Sequence, residues 1–175
     1  MLIPNLRTIE IDDIQLIRFW RNLDHINSRM AIKDVIDFDA QRNWFESLNP
    51  EKTKYFIYSY EKKDIGLATI SKIDYKNKTF EGGIQCGDIN YLGHWINIWA
   101  CIKIYNLAFF DLKMETAFAK ILSNNDSALR LNKTLGYEFT CEVENGVGKY
   151  SLTKKNFINK SKKIQSYLKS LDSNL

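Results

Sequence analysis

Between Tyr55 and Cys86 apolar and polar residues alternate in three runs, Tyr55 to Tyr60, Ile65 to Ile73 and Thr79 to Cys86. The period of two predicts strands, and the polar stretches Glu61-Lys62-Lys63-Asp64 and Tyr75-Lys76-Asn77-Lys78 join them as an antiparallel meander. Ahead of the meander, Asn5 to Ile11 alternates as a first strand. Asp12 or Asp13 can cap a helix that turns Ile14, Leu16, Ile17 and Trp20 toward a core, and a second helix is expected from Asp39, with Trp44, Phe45 and Leu48 on one side until Asn49-Pro50 stops it. From about Asn97 to Phe110 the run is apolar on nearly every side, which predicts a buried helix. Lys113 to Leu122 reads as a strand. Ala128, Leu131 and Leu135 then repeat at helical spacing up to a Gly136 cap. Tyr137 to Glu142 and Val147 to Leu152 flank a turn containing Asn145-Gly146, a strong hairpin signal. Phe157, Ile164, Leu168 and Leu171 form a sparse apolar stripe on a last, lysine-rich helix.

The chain has 175 residues, 45% of them apolar, enough for one domain with a real core. Its net charge of +4 is unevenly held. Six lysines and one aspartate put +5 on residues 154–175, which leaves −1 on residues 1–153. A nearly neutral body is no nucleic-acid-binding face, so nucleic acid is not an expected partner. Three cysteines without C-x-x-C spacing fit a reducing, cytoplasmic setting, and two histidines give little support for a metal site. No run reaches the roughly 18 apolar residues of a membrane span, so no membrane partner is expected. The expected organisation is a domain over 1–153 and a lysine-rich helix or tail over 154–175.

Two segments carry candidate chemistry. Cys86-Gly87-Asp88-Ile89-Asn90-Tyr91-Leu92-Gly93-His94-Trp95 lies between a strand and the apolar helix, where free backbone N–H groups and the helix dipole favour a diphosphate. Asn125-Asp126-Ser127-Ala128 through Gly136-Tyr137 is a short helix closed by glycine. Together they resemble the GNAT superfamily of acyl-CoA N-acyltransferases, in which a [Q/R]-x-x-G-x-[G/A] loop holds the CoA diphosphate and an N-x-x-[A/S]…G-[F/Y] segment lies beside the CoA arm. The first keeps only the central glycine here. The second fits well, and the element order matches over nearly everything before the tail.

That resemblance implies an α+β fold: a mixed, mostly antiparallel twisted sheet of about seven strands flanked by helices, with strands four and five splayed around acetyl-CoA as co-substrate. It implies cofactor contacts from Ile84, Gln85, Cys86, Leu92, Gly93, His94, Trp95, Asn125 and Asn132. Glu81 is then the expected general base; its other reading is a solvated strand glutamate. Gly82-Gly83 beside it predict a bulge or a ligand close to the backbone. Asn132 stands where many relatives have a proton-donating tyrosine, and an amide has no proton to give. Arg21, Asn22 and Met30 fall on the side that covers the acceptor; Arg21 reads equally as a surface arginine.

The front half, Phe19-Trp20-Arg21-Asn22, Trp44-Phe45 and Ile65 to Ile73, is similar to enzymes that acetylate nucleotide-linked amino sugars. It is similar also to ribosomal-protein N-terminal acetyltransferases. The expected activity is transfer of acetyl to a primary amine of a nucleotide-linked amino sugar. Alternatives are the ribosomal-type reaction and a catalytically inactive GNAT-like binding module. A homodimer is left open.

Overall fold

The computed structural model describes residues 4–28, 34–144 and 146–171. Their centre is a seven-stranded sheet in the order β1-β2-β3-β4-β5-β7-β6. The strands are β1 (Asn5–Thr8), β2 (Lys54–Tyr60), β3 (Lys63–Asp74), β4 (Thr79–Cys86), β5 (Thr116–Leu122), β6 (Glu138–Glu144) and β7 (Val147–Thr153). Every pairing is antiparallel except β4 with β5. The meander is as the alternation predicts, since Tyr58, Ala68 and Ile70 are buried on one face and Ile57 and Leu67 on the other.

The helices are α1 (Ile14–Arg21), α2 (Asp24–Asn27), α3 (Phe38–Glu46), α4 (Trp95–Asn106), α5 (Asp126–Leu135) and α6 (Lys154–Leu171). α1 buries Ile14, Ile17 and Trp20, the stripe its spacing predicts. α3 starts earlier than Asp39 would have it, because the Asp37 carboxylate accepts the Ala40 N–H at 2.7 Å and caps the helix. The first strand stops at Thr8, short of Ile11, and Asp13 turns back to receive Arg7 at 2.7 Å and the Glu10 N–H at 2.7 Å. The Arg7 hydrogen bond, aided by the Glu10 N–H, holds the Asp13 carboxyl below the usual range. Asn145 and Met30 lie outside the described residues.

α4 is the spine of the molecule. Ile96, Trp99, Ala100, Cys101, Ile102, Ile104 and Tyr105 are all buried in the main core, against the sheet. It starts at Trp95, not Asn97, because His94 caps it: the His94 Nδ1 accepts the Ile96 N–H at 3.3 Å. After one wide turn (Leu107–Asp111) the chain reaches β5 only at Thr116. Tyr105 sits at the centre of the core, its ring near Phe80, Phe109, Tyr137 and Phe157, and its hydroxyl is 2.7 Å from that of Tyr137. That bond satisfies both buried hydroxyls. α6 belongs to the same core, with Phe157 and Leu168 buried.

Candidate active site in the β4–β5 splay

β4 and β5 pair only over Thr79 to Glu81 against Thr116 to Phe118. Beyond that point β4 runs on to Cys86 held by β3 alone, and β5 turns to β7. The two strands therefore part, and the β5-facing edge of β4 is left without a strand partner. A cleft of about 560 Å³ fills the gap. Ile84, Gln85 and Cys86 form one wall, Leu92, Gly93 and His94 one end, and Asn125, Ala128, Arg130 and Leu131 of α5 the other wall.

The loop before α4 is fixed from below. Gly87 and Asp88 donate their N–H groups to Ile65 O at 2.8 and 3.0 Å. The Asp88 carboxylate pairs with Lys63 at 2.5 Å, which holds it below the usual carboxylate range, and accepts the Asn90 N–H at 3.0 Å. Asn97 ties the loop to the sheet: it accepts from the Tyr58 hydroxyl at 2.6 Å and donates to Tyr91 O and His94 O at 2.6 and 3.1 Å. Gly93 has φ +76, and a Cβ there would meet nothing within 4 Å. The glycine is thus required by backbone conformation and not by crowding, and it leaves the loop open toward the cleft.

Across the gap, Asn125 caps α5, its side chain accepting the Ala128 N–H at 3.2 Å. Gly136 closes the helix at φ +101, with the Tyr137 N–H reaching Asn132 O at 3.0 Å. Asn132 itself turns back along the helix, donating to Ala128 O at 2.8 Å. Its amide is spent on the helix, and it does not line the cleft. Trp95 also turns away, onto Tyr60 at 5.2 Å between rings.

Glu81 lies at the fork, in the last β4–β5 pair. Its carboxylate meets Lys72 Nζ at 2.9 Å. The neighbouring glycines are not a bulge, since Gly82 pairs in step with Ile70 and Gly83 with Thr69. Gly82 is required by packing: a Cβ would come within 2.5 Å of the Tyr105 hydroxyl. The bulge is on β3 instead, between Ser71 and Asp74. Asn22 is no free recognition group either, because both ends of its amide bind Ile36, at 2.8 and 2.9 Å. Arg21 is half-buried at the end of α1.

Three residues that the sequence reading passed over belong to the cleft. Arg130 supplies the permanent cation that Asn90 and His94 lack. His25 lines it as well, donating Nε2–H to Cys86 O at 3.0 Å. Asn97 was legible as a polar residue in the first turn of a mostly apolar helix, which must find partners when enclosed. The Cys86 thiol is pushed up by burial, which keeps it protonated and unsuited to nucleophilic attack. Among the described residues, no group of three or more His, Cys, Asp or Glu side chains is placed to hold a metal.

No protein-family model and no curated protein sequence matches the chain. Solved structures do. A spermidine N-acetyltransferase from Vibrio cholerae, in complex with CoA and spermine, superposes with a TM-score of 0.80 at 18% identity, over 89% of this chain and 98% of that one. FdhC, a nucleotide-linked sugar GNAT, gives 0.77 at 20% identity over 93% of each chain. A domain from Methanocaldococcus jannaschii gives 0.77 at 20%, over 87% and 99%. The chain has the GNAT fold. The end of β4, the Gly93 loop and the Asn125 helix line one cleft, and Glu81 lies outside its lining, at the fork where β4 and β5 part. No helix of the described residues is long and apolar enough to cross a membrane.

Proposed function

We propose that the protein is an acetyl-CoA-dependent N-acetyltransferase whose acceptor is the primary amine of a nucleotide-linked amino sugar. The observation that carries the reading is the splay: past the point where β4 parts from β5, a largely apolar cleft opens between the end of β4 and α5, with the Gly93 loop at one end and Asn125 and Arg130 on the facing wall. A pantetheine arm is long, thin and amide-bearing, and the unpaired edge of Ile84 to Cys86 offers it strand-like hydrogen bonds. The diphosphate would take the Gly93 end, near the positive pole of α4, with Arg130 as counter-charge.

Glu81 takes a proton from the acceptor ammonium, directly or through water. The free amine attacks the thioester carbonyl, the C–N bond forms, and the C–S bond breaks. Backbone N–H groups of β4 facing the cleft stabilise the oxyanion as it develops. The CoA thiolate leaves, and the second proton of the attacking nitrogen passes to it through solvent as the neutral amide forms. A thiol with a pKa of about 8.5 is a good leaving group near neutrality, so the spent amide of Asn132 is no obstacle. Lines of support for the sugar acceptor are the front-half resemblance and the nucleotide-linked sugar GNAT among the structural matches.

The test is release of free CoA thiol, followed with a thiol reagent, against a panel of UDP-linked amino sugars, spermidine and a peptide N-terminus. The expected result is turnover with a nucleotide-linked amino sugar. Turnover with spermidine or the peptide alone would overturn the acceptor assignment, and turnover with none would favour an inactive binding module.

A further inference from the structure

The sheet face opposite α4 is divided. Over the β1–β3 half it is covered, with Ile57 and Leu67 buried under Ile17 and Trp20. Around Glu81 it carries charged and aromatic groups instead. Glu81 is in register with Ser71 on β3 and with Phe118 on β5, so the three share that face. One residue beyond Ser71 the register of β3 slips, and Lys72 adopts φ +50, a conformation uncommon for a residue with a side chain. The bulge delivers Lys72 Nζ to 2.9 Å from the Glu81 carboxylate. From the other side, Lys149 of β7 sets its ammonium 4.8 Å from the centre of the Phe118 ring. The carboxylate thus pairs with one ammonium, and the aromatic neighbour in register with it carries a second. Beside it the surface is bare, since a Cβ on Gly83 would meet only Thr69, at 3.9 Å.

A lysine is a poor permanent partner for a general base. An ammonium at 2.9 Å occupies the carboxylate oxygen that would have to face the amine. The pair is also weakly held, with 67% of the Lys72 side chain and 28% of the Glu81 side chain exposed. An arriving phosphate, with its higher charge, is a better partner for the same lysine.

We propose, on the reading of Glu81 as the base, that Lys72 is both the lock on that base and the residue that recognises an anionic acceptor. Without acceptor it pairs with Glu81. When a nucleoside-diphosphate-linked amine binds, Lys72 moves to the phosphate and keeps its own proton. Glu81 is freed to receive the proton of the amine. Lys149 is the second cation on that face, and the Phe118 ring and the Thr69–Gly83 strip give the acceptor an uncharged surface. A polycationic acceptor meets two ammonium groups and leaves the lock closed.

The test is calorimetric titration of UDP into protein saturated with CoA, so that the nucleotide cannot occupy the cofactor cleft. Wild type is expected to bind UDP, and Lys72→Met to bind it about tenfold more weakly, the size of one charge-assisted hydrogen bond. Glu81→Gln is expected to bind UDP more tightly than wild type, because it removes the competitor for Lys72. A merely structural role for the pair would not produce that gain. No UDP binding by wild type, equal binding by Lys72→Met, or weaker binding by Glu81→Gln would each overturn the proposal. The parallel thiol-release assay separates the two levels: acetyl transfer to an amine without UDP binding sinks Lys72 and spares the acetyltransferase reading, whereas UDP binding with these variant effects and no acetyl transfer does the reverse.

Discussion

Glu81 stands where the two strands part, and a base there has a measurable signature. Glu81→Gln should lower kcat at neutral pH by about 10²- to 10⁴-fold, with acetyl-CoA affinity nearly unchanged. The deficit should shrink at alkaline pH, where the acceptor amine loses its proton unaided; a pH–rate profile of both proteins checks this, and a constant deficit would make the residue an orienting group. A second prediction concerns Asp13, whose lowered pKa comes first from the Arg7 hydrogen bond. A depressed carboxyl stabilises the fold above its unfolded value near about 4 and loses that contribution as pH falls through the folded value. Arg7→Met should therefore be less stable than wild type at pH 7, and the two melting temperatures should converge below pH 4. The residue scale is also where sequence reading reached least far. Glycine pairs in a strand signal that a side chain is excluded without saying by what, and at Gly82 it is the Tyr105 ring that excludes it. Lys72 gave no sign at all, because nothing in a lysine's neighbours announces a bulge.

Elements were more legible, for physical reasons. Period-two alternation, an all-round apolar helix and a glycine cap each follow from which faces are buried, and β3, β4, α4 and α5 were found within a few residues. α2 was not, since a four-residue helix is too short to show a period. Boundaries moved where a side chain reached back to the backbone, as Asp37 and His94 do. α6 was read as a lysine-rich helix or tail with a sparse apolar stripe, and its packing could not be judged from composition. Phe157 is fully buried, its ring 5.7 Å from that of Tyr105 and 5.2 Å from that of Phe109. Phe157→Ala should cost about 3–5 kcal/mol in chemical denaturation, the usual range for emptying a buried aromatic site. Removal of residues after Asn159 would strip Leu168 as well, and the truncated protein should melt lower while still binding acetyl-CoA as long as it folds. A truncated protein as stable as the full chain would mean that α6 is dispensable.

At the scale of the molecule, one sheet with a single parallel pairing does the positioning. Strand order puts the Glu81 fork at its centre, α4 carries the Gly93 loop to one end of the cleft, and α5 brings Asn125 and Arg130 to the wall facing β4. The end of β4, the Gly93 loop and the start of α5 line one cleft where β4 and β5 separate. That meeting was inferable from the resemblance and not from any local pattern. If the cleft holds acetyl-CoA, ligand at a hundredfold excess over Kd should stabilise the fold by about 2.7 kcal/mol, a rise of several degrees in Tm. The most direct measurement is calorimetric titration of acetyl-CoA into wild type and into Ala128→Trp, which fills the cleft from the α5 wall. Saturable one-to-one binding by wild type, lost in a folded Ala128→Trp variant, is the expected result. No heat with millimolar acetyl-CoA, or equal binding by the filled variant, would contradict a cofactor site between β4 and β5.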